Sequence, residues 1–241
     1  MEDNLLTIGE AAEMLNISID TLRRWDKSGR LSAFHKPSGH RYYRRIDIEL
    51  ALDDLSGIAK KWALDKIGRE PQEDFYCPTS YIFQGRLAKL ENVLSKIVEI
   101  EKFFPLITAI VGEIGNNSFD HNLGNWPDIS GVFFGCDLNK RQVVLADRGL
   151  GIFSTLKRVK PELKNHEEAL KTAFTEIISG RAPEARGNGL KFVRQVIMTN
   201  KNISLFFQTG DAQLEIKKNS GELNIKKSDL YIKGCFTIIK Y

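Results

Sequence analysis

Apolar residues recur at helical spacing at the start of the chain. Ala11, Ala12 and Leu15 fall on one face of a first segment, and Leu22 and Trp25 on one face of a second. Thr7-Ile-Gly-Glu10 is a capping box: the Thr hydroxyl caps a helix start while the Glu three residues on reaches back. The first helix is expected to run to about Leu15. Asn16-Ile-Ser18 makes a tight turn, Ser18 caps the second helix, and Ser28-Gly29 ends it. Two alternating segments over 30–45 flank Pro37-Ser-Gly39, which predicts a β-hairpin wing. Leu22, Trp25 and Leu31 are assigned to the core.

Helical spacing continues over 46–66 through Ala51, Leu52, Leu55, Ile58 and Trp62. Gly68, Pro71 and Pro78 then interrupt it, so 68–79 reads as a linker. A helix over about 85–103 carries Leu87, Leu90, Val93, Leu94 and Ile97, and another over 104–122 carries Leu106, Ile110 and Ile114. Strands are predicted at 131–137 and 142–146, joined through 139–141. Residues 153–186 are polar and end in a Gly/Pro-rich stretch, which reads as a flexible lid with Arg181 or Arg186 as charge contacts. A helix opens at Gly187-Asn-Gly189-Leu190, and short strands close the chain at 204–208, 213–217, 222–226 and 235–240. The expected class is α+β, in three parts: a helix-turn-helix domain over 1–50, a helical connector over 51–84, and a larger domain over 85–241.

The chain has 241 residues and a net charge of only +4, so any affinity for nucleic acid must come from local clustering. Residues 18–45 hold eight Lys or Arg against Asp20 and Asp26, a local charge of +6. Basic side chains interleaved with Tyr and His on a helix plus a wing suit phosphate clamping and groove contact with double-stranded DNA. Cys77, Cys136 and Cys235 are far apart and unmatched by His at ligand spacing, which predicts reduced thiols rather than a zinc site. With no apolar run near the roughly 20 residues that span a bilayer, and a start that is no signal peptide, a cytoplasmic location away from membranes is expected.

Three polar stretches carry candidate chemistry. In Glu113-Ile-Gly-Asn-Asn117-Ser-Phe-Asp-His121, the residues Glu113, Asn117 and His121 are four apart and project from one helix face. There a carboxylate can polarise a water or hydroxyl, an amide oxygen suits Mg2+, and His121 can meet a phosphate. In Asp147-Arg-Gly149-Leu-Gly151, the Asp can accept from the exocyclic amine of adenine and the glycines admit a close approach. The amides at the helix start after Gly187-Asn-Gly189 offer an anion seat, although the sequence is neither a P-loop nor a dinucleotide fingerprint.

Leu6-Thr-Ile-Gly-Glu-Ala-Ala, Thr21-Leu-Arg-Arg-Trp-Asp, Gly29-Arg-Leu and Gly39-His-Arg-Tyr-Tyr resemble the MerR-like winged helix-turn-helix family. That resemblance implies a second helix in the major groove and a wing on the backbone or in the minor groove. The expected DNA-binding residues are Thr21, Arg23, Arg24, Lys36, His40, Arg41, Tyr42 and Arg45. The ordered boxes over about 85–241 resemble the GHKL ATPases, which include sensor histidine kinases and anti-sigma serine kinases. By that resemblance the larger domain is a Bergerat-type α/β sandwich, with a mixed, mainly antiparallel sheet covered by helices. Glu113 would be the general base and Asn117 the Mg2+ ligand. ATP would be bound by Asn117, His121, Asp147, Gly149, Gly151, Arg186, Gly187, Gly189, Leu190 and Thr237. Gly234-Cys235 stands where the family usually has Gly-Thr. No His lies on the helix before the module, where a sensor kinase carries its phosphoacceptor. The leading expectation is a DNA-binding regulator in which ATP and Mg2+ control DNA or partner binding. The alternative is a serine/threonine kinase of the anti-sigma type. A protein partner and a homodimer are expected in either case.

Overall fold

The computed structural model describes residues 5–29, 31–35, 39–52, 54–177 and 188–241. The chain divides into two compact units, 1–58 and 59–241.

The first unit opens with β1 (Leu5–Thr7), α1 (Ile8–Met14) and α2 (Ile19–Lys27), followed by β2 (Phe34–His35), β3 (Arg41–Arg44) and α3 (Arg45–Leu52). The capping box closes as expected: the Thr7 amide donates to Glu10 at 2.7 Å, and the Glu10 amide donates to the Thr7 hydroxyl at 3.3 Å. Asn16 adopts φ +52°, which makes the turn tight, and the Ser18 hydroxyl accepts from the Thr21 amide. Leu22, Leu31, Tyr43 and Ile48 are buried, with Trp25 packed on them. The wing gains a strand that the helical pattern hid. β1 pairs antiparallel with β3 (Leu5 opposite Arg44, Thr7 opposite Tyr42), so the sheet order is β1-β3-β2.

The single helix expected over 46–66 is two, α3 and α4 (Leu55–Leu64). Asp54 explains the restart, since its carboxylate accepts from the Gly57 amide at 2.8 Å and begins a new helix. Within the stretch read as a linker, Tyr76–Cys77 forms β4, and Phe75 stacks on Phe133 with ring centroids 4.7 Å apart. The next helix, α5 (Ser80–Leu94), starts earlier than its apolar stripe suggested because the Thr79 hydroxyl caps it.

The second unit is built on five strands in the order β4-β5-β6-β8-β7, every adjacent pair antiparallel. β5 (Val132–Asp137) and β6 (Gln142–Asp147) form the expected hairpin. The four short strands expected at the chain end are instead two long ones, β7 (Ser204–Ile216) and β8 (Ile225–Lys240). The gap at 209–212 between the first two expected strands is a bulge in a continuous strand, with Gly210 at φ +56°. The described part of the region expected as a lid, 153–177, carries most of α7 (Gly151–Lys157) and all of α8 (His166–Thr175), and its Gly/Pro-rich end lies outside the described residues. Ala169, Leu170 and Phe174 are buried, and Phe174 meets Phe207 edge-on.

One face of the sheet packs against α5, α6 (Phe104–Asn122), α8 and α9 (Gly189–Thr199) through Phe83, Ile107, Ile114, Leu170 and Val193. Gly115 sits mid-helix in α6 because a Cβ there would lie 2.1 Å from the Phe83 ring. Behind the sheet, Arg148 is fully buried. It donates to both Asp128 oxygens and to the carbonyls of Trp62 and Asp65, which fastens residues 62–65 and 128 to the end of β6.

Candidate functional site

In the first unit, α2 and the wing carry the expected DNA face. Arg23 and Arg24 are exposed on α2. Arg23 pairs with Asp20 at 2.9 Å, and Arg24 donates to Thr21 at 3.2 Å. His40 is exposed, and Tyr42 lies half-buried on β3. Arg45 opens α3 and donates to the Met14 sulfur at 3.8 Å, so it is held against α1. Arg41 sits at the joint between helix and wing, donating through Nε to Asp26 at 2.8 Å. Lys36 lies outside the described residues. Asp26 also accepts from the Ala33 amide at 2.9 Å, and His35 Nε2 is 3.5 Å away. Burial pushes the Asp26 carboxyl up, but the Ala33 amide and Arg41 outweigh it and hold the group below its ordinary value.

In the second unit, α6 brings two distant glycine stretches to one helix. A Cβ on Gly189 would lie 2.5 Å from a Glu113 carboxylate oxygen and 3.4 Å from the Asn117 amide nitrogen. The first residue of α9 therefore rests against both, and only a glycine fits without displacing Glu113. Among the described residues no side chain caps α9 at Asn188, which leaves its first amides uncapped. Glu113 is exposed. One turn further on, His121 is largely buried, with no hydrogen-bond partner for Nδ1 among the described residues, and burial lowers its pKa.

Asp147 ends β6 and is 2% exposed. One carboxylate oxygen accepts from the Ser118 hydroxyl at 2.8 Å and the other from the Gly149 amide at 2.8 Å. Burial raises its pKa, while Ser118, Gly149 and Cys235 act in the opposite direction. Gly149 backs onto Asn122, whose amide oxygen accepts from Leu150 N at 2.8 Å. Gly151 has φ +74°, and a Cβ there would lie 2.8 Å from the Lys233 carbonyl oxygen, so the backbone requires a glycine at 151, whereas at 149 it is the Asn122 side chain that leaves no space for a Cβ. Leu190 is half-buried against the core. Thr237 is buried opposite Leu145, two residues along β6 from Asp147. Cys235 is the β8 residue that reaches Asp147, and burial, with the Asp147 charge adding to it, drives its thiol pKa well up. Arg181, Arg186 and Gly187 lie outside the described residues.

Several residues of these clusters escaped the sequence reading. Ser118 and Asn122 are four apart on α6, a spacing that could have flagged them. Thr209 takes the Ile152 amide at 3.1 Å and donates to the Gly234 carbonyl at 2.9 Å, and Asp128 holds Arg148. Neither had a local signal, because each acts across strands or loops far away in sequence.

Residues 7–43 match the model of the MerR family regulatory protein. The first unit thus carries a MerR-family helix-turn-helix, the module of DNA-binding transcription regulators. No curated protein matches the chain. Among the described residues, no helix is long and apolar enough to cross a membrane.

Proposed function

We propose that the protein is a cytoplasmic DNA-binding regulator whose second unit, a Bergerat-type sandwich, binds ATP with Mg2+ and uses the bound nucleotide to control DNA or partner binding. One observation carries the nucleotide half: α6 touches both glycine stretches. Gly189 rests on Glu113 and Asn117, and Asp147 accepts from Ser118, the next residue along.

The residues fit the groups. A Cβ at Gly189 would meet the Glu113 carboxylate, and His121 Nδ1 is a buried polar atom with no partner among the described residues. Asn117 would hold the Mg2+, the first amides of α9 and His121 would receive phosphate oxygens, and Asp147 would accept from the base amine. ATP, when bound, supplies a phosphoanhydride and a concentrated negative charge. Glu113, exposed beside Asn117, is placed to take a proton from a water or hydroxyl at its carboxylate.

The same exposure of Glu113 favours a second reading, a serine/threonine kinase of the anti-sigma type acting on a partner protein. Transfer of labelled phosphate from ATP to a partner separates it from a switch, which releases phosphate slowly or not at all. Since one helix-turn-helix reads only a short site, a homodimer on a repeated target is part of the proposal.

The test is calorimetric titration of ATP-Mg2+ into the wild type and Asp147→Asn. Binding that vanishes in the variant supports the site, and unchanged binding refutes it. Equal DNA affinity with and without ATP-Mg2+ would remove the coupling.

A further inference from the structure

In the first unit, one carboxylate joins the two elements that must meet DNA together. Asp26 lies on the last turn of α2 with its side chain 11% exposed. It accepts from the Ala33 amide at 2.9 Å, just before β2, and from Arg41 Nε at 2.8 Å, at the start of β3. His35 Nε2 on β2 stands 3.5 Å from the same oxygen that Arg41 binds. A single side chain on the second helix thus reaches both strands of the wing hairpin. The hairpin itself is thin: among the described residues β2 pairs with β3 through Phe34–Tyr42 and His35–Arg41. β1 holds β3 along its other edge, but among these residues β2 has no second strand beside it, so two pairs alone fix its direction weakly and Asp26 adds the tie to α2.

We infer that Asp26 is the positioning residue of the DNA face, setting the wing against α2 so that helix and wing engage one duplex in a single register. Asp26 touches no DNA in this role. It lies among basic side chains, where its charge taken alone would weaken attraction to phosphate. Positioning and simple electrostatics therefore predict opposite signs. The inference rests on the DNA-binding reading of this unit, and the test separates the two.

Asp26→Asn keeps an oxygen for the Ala33 amide but loses the charge that holds Arg41. Arg41→Gln removes the same joint from the other side. The probe is a duplex selected by the wild type from a random pool, and a thermal melt verifies that each variant is folded. Positioning predicts at least fivefold weaker binding by Asp26→Asn, an unchanged dependence of log affinity on log salt, and amide exchange at Ala33 and in β3 at least tenfold faster without DNA. Arg41→Gln should produce the same change in exchange, and the double variant should be no worse than either single. Tighter binding by Asp26→Asn with unaltered exchange would overturn the inference in favour of plain electrostatics. If the wild type selects no duplex, the DNA reading fails, while the exchange measurement still decides whether Asp26 holds the wing.

Discussion

Replacing Asp128 by Asn leaves the Arg148 guanidinium fully buried without its counter-charge. In the native protein Arg148 donates to Asp128 at 2.7 and 3.2 Å, and Lys233 approaches the same carboxylate at 3.2 Å. Burial alone would raise the Asp128 carboxyl, but hydrogen bonds led by Arg148 bring it from 3.8 down to about 2. That depression corresponds to about 2 kcal/mol of preference for the ionised form in the folded state. The group is 21% exposed, so little of this is discounted for solvent. Leaving a buried charge uncompensated costs about 3–5 kcal/mol in general. Here Arg148 keeps the Trp62 and Asp65 carbonyls at 2.6 and 2.8 Å, so a loss of about 2–4 kcal/mol is expected. Urea unfolding followed by tryptophan fluorescence measures it, since Trp62 lies against Arg148. A double-mutant cycle with Arg148→Met should show coupling above about 1.5 kcal/mol. Because the folded carboxyl titrates below its unfolded value, the wild-type advantage is complete above pH 3.8 and disappears as pH falls toward 2. A loss under about 1 kcal/mol, or additive single changes, would refute this account of Arg148.

Gly189→Ala should weaken ATP-Mg2+ binding at least tenfold by calorimetry while the melting temperature holds or rises, since only the end of Glu113 must move and Ala suits a helix. Gly151→Ala should lower stability by about 2 kcal/mol or more in a denaturant titration, because φ +74° and a backbone carbonyl at 2.8 Å leave no relief. Nucleotide affinity should drop on acidification at a higher pH than an ordinary Asp would give, because the raised Asp147 carboxyl protonates early and stops accepting; a flat profile measured by fluorescence would oppose the role. Arg24→Ala should weaken duplex binding and reduce its salt slope by about 1 in a filter or anisotropy assay, and an unchanged slope would exclude a phosphate contact.

The first unit was legible in the sequence because its determinants are local. Thr7 and Glu10, Ser18 and Thr21, and Asn16 each act within three residues, and that is how α1, the turn and α2 were found. Hairpin β5–β6 was legible for the same reason, through alternation around a short turn. What tertiary structure decided was the long-range accounting. β1 is a strand because β3 supplies its hydrogen bonds, and 204–240 is one ribbon because a bulge at Gly210 absorbs the apparent break. The polar stretch 166–175 is a helix in the core because β7 offers it Phe207. The candidate site divides along the same line. Types and spacings of Glu113, Asn117, Asp147 and Gly189 could be read directly from the chain. Their company could not: Ser118 on Asp147, Thr209 behind Gly151, Cys235 rather than Thr237 beside the carboxylate, and Asp26 between helix and wing. Those contacts join residues far apart in the chain or depend on side-chain direction, which hydrophobic pattern does not encode.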